Sequence, residues 1–264
     1  MTSNSDVSAD QHEAARLVGG TEQPTESFRD LQARRQQYFE RSEDSSAQKL
    51  ESLMRYMSRQ DLAKLSCYMD VFDKTTGVAG SIMECGVYFG NGLMTWAKLS
   101  AAMEPYNYNC KVVGFDTFSG NIGESESDQS DQAGIHKGTG GYLADSYEDL
   151  LECISIFDED RPLNQYPKVE LVKGDLRNSA GKYIEHNPHA LVRILSLSVN
   201  LYEPSLAALK AFLPRMPKGS AIVAFTLNVP IYPGATLSLL DACGVQDYSV
   251  ITPAKYPNFN YIIL

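Results

Sequence analysis

Apolar positions change period along the chain. Up to about residue 78 they recur at helical spacing. Residues 26–41, ESFRDLQARRQQYFER, carry Phe28, Leu31, Tyr38 and Phe39. Residues 46–57 carry Leu50, Leu53, Met54 and Met57, and residues 59–72 set Leu62, Leu65, Tyr68, Met69 and Phe72 on one face. Three helices are predicted there. From Ser81 onward, short apolar runs alternate with helical stretches. SIMECG (81–86), CKVVGFDTF (110–118), KVELVKGD (168–175), Ile194–Val199 and GSAIVAFTL (219–227) read as strands. Residues 91–103, 146–157, 179–188 and SLAALKAF, with Pro204 just inside its start, read as helices. GVQDYSVITP and NFNYIIL read as two closing strands turning at AKYP. Strands alternating with helices imply a mostly parallel sheet wound by helices. The closing hairpin adds an antiparallel edge.

Three regions follow from this pattern. Residues 1–24 are polar and aperiodic and are expected to be a mobile tail. Residues 25–78 form a helical cap whose apolar and aromatic surface predicts an oligomer interface, in a homodimer or a higher homo-oligomer. Residues 79–264 form the sheet domain. Within it, segment 119–145 is expected to act as a lid, because 119–141 is rich in Gly, Ser and Asp, with Gly134, Gly138, Gly140 and Gly141 permitting movement.

Composition narrows the classes. Apolar residues make up 43% of the 264, enough for a core, yet no run of 18 apolar residues exists to span a membrane. The start of the chain lacks the basic and apolar regions of a signal peptide, so a cytoplasmic protein is expected. The five cysteines form no CxxC pair and read as reduced, small apolar residues. A net charge of −10 disfavours nucleic acid and anionic membranes and leaves a small molecule as the expected partner.

Candidate chemistry gathers where strands end. MECGVYFGNG follows a strand and opens a helix. Gly86, Gly90 and Gly92 allow a tight turn and close backbone approach, and the helix starting near Asn91 offers free N–H groups at its positive end. The spacing is E-x-G-x-x-x-G-x-G, not the dinucleotide G-x-G-x-x-G. Glu84 suits a ligand with an amino group better than a pyrophosphate, which favours S-adenosylmethionine over NAD. Asp116 ends the second strand in GFDTF, beside Thr117 and Phe118, where an acid can accept ribose hydroxyls. Asp175 ends the third strand, where a carboxylate can accept an exocyclic amine. Ser198 ends the fourth. These positions share the carboxyl edge of the sheet. The plain alternative is that acids and glycines simply make turns.

The segments ECGVYFGNG, VVGFDTFSG, VELVKGD, NLYEPSLAALKAFLPRMPKG and the closing hairpin resemble the macrocin O-methyltransferase family. Its members are S-adenosylmethionine-dependent enzymes that methylate hydroxyls of natural products, of the sugar or polyketide/peptide type. The resemblance runs from about residue 80 to the end. It implies a seven-stranded, mostly parallel Rossmann-like sheet, N-terminal helices, an oligomer, and cofactor roles for Glu84, Gly86, Asp116 and Asp175, with Tyr88, Gly90, Asn91, Thr117, Phe118 and Ser198 beside them. The family also places acids in a D-x-D just before LYEP and again after the next strand. This chain has Ser198 and Asn200 at the first pair, and Thr226 is the nearest match to the second. No tightly held divalent metal is therefore expected.

Without a metal, methyl transfer to an alcohol needs another way to remove the proton. His136, in the glycine-rich segment, is the candidate base, and Asn200 a candidate hydrogen-bonding group beside the acceptor. Tyr88, Tyr142 and Tyr202 are candidates to line the pocket. His186 and His189 fall at the amino edge and read as a solvated turn. Two other readings stay open: a repurposed, non-catalytic member of the family, and a different enzyme activity on the same fold.

Overall fold

Strand β1 (Ser81–Cys85) sits inside the sheet because its neighbours on both sides are equally apolar. The computed structural model describes residues 26–130 and 138–264. With β2 (Val112–Asp116), β3 (Val169–Lys173), β4 (Val192–Leu197), β5 (Ala221–Phe225) and β6 (Phe259–Ile263), it forms a six-stranded sheet among the described residues, ordered β3-β2-β1-β4-β5-β6. All pairs are parallel except β5 with β6. The chain winds outward from β1 to β3, then crosses back to β4. The strand order therefore reverses between β1 and β4, which opens a crevice at their carboxyl ends.

Period-two alternation sends side chains to two cores. Ile82 and Ile194 join Tyr68, Phe72, Leu93, Trp96, Leu150 and Ile154, beneath α4 (Asn91–Met103) and α5 (Tyr147–Glu159). Met83, Phe115 and Leu195 join Leu176, Leu209, Phe212 and Leu239, beneath α6 (Leu176–His186), α7 (Tyr202–Phe212) and α8 (Pro233–Cys243). All five cysteines are free thiols, three of them buried. Among the described residues, no helix is long and apolar enough to cross a membrane.

Two expectations are corrected. The sheet has six strands, not seven, because segment 244–253 contributes only a single bridge, Ile251 to Tyr261. Val250 and Ile251 stay exposed there, and Pro253 has no N–H to extend a ladder. The antiparallel edge is therefore β6 on β5 rather than a hairpin. Helix α8 was not expected from the pattern. It opens on Pro-Gly, which reads as a turn, and its apolar residues are spread around its circumference. Elsewhere the boundaries shift slightly. The predicted helix 46–57 stops at Glu51 and continues as a 3-10 turn (Leu53–Arg55), and 179–188 begins earlier, at Leu176.

The chain divides into two units, to Lys64 and from Leu65, within helix α3 (Arg59–Lys74). In the first, α1 (Glu26–Arg41) and α2 (Ser46–Glu51) bury no residue. Tyr56 organises this unit. Its hydroxyl donates to Asp44 at 3.0 Å, and its ring meets Tyr38 and Phe39 at 5.6 and 5.1 Å.

The amino edge of the second unit is held by a buried ion pair. Arg193 on β4 is fully buried, donates twice to Glu104 at 2.7 and 2.8 Å, and also reaches the Thr75 hydroxyl and the Phe72 carbonyl. Its guanidinium lies 4.4 Å from the Phe72 ring centroid. Glu104→Ala would leave the guanidinium without its counter-charge. The expected loss is about 3–5 kcal/mol, read from the urea midpoint with the slope unchanged.

Candidate functional site

The turn after β1 is built around two carboxylates. Asp116, at the end of β2, accepts the Val87 and Tyr88 amides on Oδ2 at 2.7 and 2.9 Å and the Phe118 amide on Oδ1 at 2.8 Å. One acid thus ties the β1 turn to the β2 turn. Two oxygens offer about four acceptor sites, so one on Oδ1 is not used by these amides. Glu84, on β1, lies behind the same turn and is 2% exposed. Its oxygens accept the Trp96 indole N–H at 3.0 Å and the Ser198 hydroxyl at 2.9 Å. Gly92, in the first turn of α4, makes this possible: a Cβ there would lie 2.4 Å from Glu84 Oε1. A ligand's amino group would therefore have to share Glu84 with Ser198.

The remaining cofactor candidates surround this turn. Gly86 and Gly90 adopt positive φ, and Gly90 caps α4 ahead of Asn91. Tyr88, also at positive φ, has its carbonyl held by the Ser146 hydroxyl. Thr117 donates to the Gly120 carbonyl at 2.8 Å, and Phe118 packs edge-on against Tyr147. Asp175 is the N-cap of α6, accepting the Arg177 amide at 2.9 Å and pairing with its guanidinium at 2.6 Å. Burial opposes its ionisation, but the Arg177 hydrogen bonds outweigh it and hold the carboxyl below its ordinary range.

On the far side of the β1/β4 crevice, neutral groups join across four segments. Asn200 accepts the Thr226 hydroxyl at 2.9 Å and donates to the Tyr142 hydroxyl at 3.3 Å. The Tyr142 and Tyr232 hydroxyls are 3.3 Å apart. Burial, then the neighbouring Tyr232, push the Tyr142 phenol above its ordinary pKa, and burial likewise raises that of Tyr232. Both are protonated at neutral pH and serve as hydrogen-bonding groups, not bases. Among the described residues, no cluster of three or more His, Cys, Asp or Glu is placed to hold a metal.

Backbone strain gathers at the same edge. Among the described residues, Tyr88, Phe118, Tyr142, Thr226 and Asn228 have positive φ, and only Leu163 does so elsewhere among non-glycine residues. Such conformations cost about 1–3 kcal/mol each and persist where surrounding structure imposes them.

The structure thus brings Glu84 to Ser198, Asp116 to Tyr88 and Phe118, and Asn200 to Thr226 and Tyr142. Asp175 is engaged with Arg177. The Tyr202 hydroxyl donates to Asp241 at 2.7 Å. His136 lies outside the described residues. His186, at the end of α6, contacts the Lys182 carbonyl. Sequence reasoning missed Tyr232 and Asp128. The spacing S-x-x-D at 125–128, a capping-box pattern, was the available signal for Asp128.

This architecture, an E-x-G turn at the β1/β4 reversal with an acid after β2, defines the S-adenosylmethionine-dependent methyltransferase fold. Solved structures agree. The chain is similar to CalS11, calicheamicin methyltransferase, with a TM-score of 0.86 at 24% identity over 99% of both chains. It is similar to apo CalS11, described as a TDP-rhamnose 3'-O-methyltransferase of calicheamicin biosynthesis, with a TM-score of 0.77 at 25% identity over 90% of this chain and 95% of that one. The O-methyltransferase NovP matches with a TM-score of 0.55 at 16% identity over 78% of each chain. No family model and no curated protein sequence matches the chain.

Asp116→Asn would set an amide nitrogen against one of the backbone donors. The expected cost is about 1–3 kcal/mol of stability, with faster hydrogen exchange at the Val87 and Tyr88 amides. Unchanged exchange at both would show that the turn does not depend on this carboxylate.

Proposed function

We propose that the chain is an S-adenosylmethionine-dependent O-methyltransferase acting on a hydroxyl of a small-molecule natural product, of the sugar or polyketide/peptide type, without a divalent metal. The observation that carries this reading is the division of the carboxyl edge. A charged, glycine-rich half stands at β1 and β2, and a neutral hydrogen-bonding half stands after β4 and β5.

The first half suits the cofactor. Gly86, Gly90 and the strained Tyr88 bring bare backbone to the crevice, and the N-terminus of α4 favours a carboxylate. The remaining acceptor site on Asp116 Oδ1 suits a ribose hydroxyl. When bound, S-adenosylmethionine supplies an electrophilic methyl group. The chain's own residues orient the two reactants and keep water out of the crevice.

The second half suits an uncharged acceptor. Asn200, Tyr142 and Thr226 present donors and acceptors with little freedom to move, which favours a fixed approach angle for a hydroxyl. The neutral donor set also underlies the metal-independent reading. At 4 Å and an effective dielectric near 20, each carboxylate attracts a divalent ion by roughly 8 kcal/mol before desolvation. Ser198, Asn200 and Thr226 supply none of that. The printed description of CalS11, a sugar O-methyltransferase, supports a hydroxyl acceptor for a chain of this fold.

Calorimetry should detect S-adenosylhomocysteine at micromolar levels, and methyl transfer should survive excess EDTA. Activity lost to EDTA and restored by Mg²⁺ would overturn metal independence. The engagement of Glu84 and Asp116 by protein donors favours a second reading, a repurposed binder. Firm cofactor binding without turnover of any acceptor would select it, and no binding at millimolar ligand would remove both readings.

A further inference from the structure

We propose that Asp128 is a positioning residue that sets the acceptor half of the site. Its role in orienting an acceptor rests on the methyltransferase reading; the junction it forms does not.

Helix α7 begins with an unmet need. Its N-cap, Leu201, has no side-chain oxygen, so the first amides lack the usual partner. The acceptor comes instead from 74 positions away: Asp128 Oδ1 takes the Tyr202 amide at 2.7 Å. Oδ2 takes the Ser125 amide and hydroxyl at 2.8 and 2.7 Å. The carboxylate is 3% exposed, and the positive end of α7 favours its charge.

A third element closes the junction. Gly234, in the first turn of α8, approaches so closely that a Cβ would lie 2.0 Å from Asp128 Oδ1 and 2.5 Å from the Tyr202 nitrogen. The β2–α5 connection, α7 and α8 therefore meet at one carboxylate. Each also carries a member of the neutral network. Asn200 stands two residues before Tyr202, Tyr232 two residues before Gly234, and Tyr142 on the same connection as Asp128. The hydrogen bonds from Asn200 to Tyr142 and between Tyr142 and Tyr232 span these three elements. A local cap would require only the Tyr202 contact. Here the cap fixes the relative position of three segments whose side chains must meet.

The test uses the full chain, with Asp128→Asn, Asp128→Ala and Gly234→Ala compared against wild type after urea unfolding confirms that each is folded. Hydrogen exchange reads the Tyr202 amide, ultraviolet difference absorbance against pH reads tyrosine ionisation, and calorimetry reads S-adenosylhomocysteine. In Asp128→Ala, Tyr202 protection should fall by about tenfold or more. Tyr142 and Tyr232 should ionise closer to the ordinary tyrosine range, and cofactor affinity should stay within about twofold of wild type. Asp128→Asn should be intermediate. Gly234→Ala should reproduce the tyrosine change without altering the carboxylate, and combining it with Asp128→Ala should add little. Where TDP-rhamnose is methylated, its KM should rise more than kcat falls. Loss of Tyr202 protection with unchanged tyrosine ionisation would overturn the proposal and leave Asp128 a helix cap only. Unchanged Tyr202 protection would overturn the junction itself. Failure of the methyltransferase reading shows separately, as absence of S-adenosylhomocysteine binding to the wild-type protein.

Discussion

A carboxylate inside the fold is costly unless each of its oxygens is hydrogen-bonded, and Glu84 meets that condition with groups from two other elements. The Trp96 indole comes from α4 and the Ser198 hydroxyl from the turn after β4. Gly92 leaves the room that lets α4 come down on β1. Satisfying this one acid therefore requires β1, α4 and the β4 turn to stand in a single arrangement. That arrangement is the crevice. Asp116 repeats the device one strand away, holding the backbone of the β1 turn from the β2 side.

The two edges of the sheet are held differently. At the amino edge, Arg193 and Glu104 form a buried pair, and Lys168 reaches the Asn107 carbonyl, so charge is neutralised within the protein. These contacts serve stability. At the carboxyl edge, backbone strain accumulates and the polar groups are arranged around an opening. Strain of this kind is tolerated where neighbouring hydrogen bonds over-determine the backbone. Asp116 to Tyr88 and Phe118, and Asn200 to Thr226, are such bonds.

The contrast within the crevice has a chemical consequence. The half near β1 and β2 contains carboxylates and a helix N-terminus, which suit a zwitterionic ligand with a ribose. The half after β4 and β5 contains an amide and three hydroxyls, with the phenols kept protonated by burial. Such groups orient a hydroxyl without binding a cation tightly. Replacing acids with neutral groups at these positions exchanges metal affinity for directional hydrogen bonding.

Much of this was legible in the chain itself. Strand and helix periods placed five of the strands, and helix α4 matches its predicted span, 91–103, because its apolar face and the glycine before it are local signals. The E-x-G turn and the acid after β2 located the carboxyl edge for the same reason. Helix α8 was hidden by a Pro-Gly opening, and the seventh strand failed because segment 244–253 cannot cover its apolar residues. The partners of the acids were not legible at all. Nothing near Asp128 indicates that it caps a helix 74 residues later, and nothing near Asn200 indicates Tyr142. Local spacing determines which residues form a strand, a helix or a turn, since those depend on neighbours along the chain. Which hydrogen bonds a buried carboxylate or amide makes depends on the packing of elements distant in sequence, and only the tertiary structure decided that.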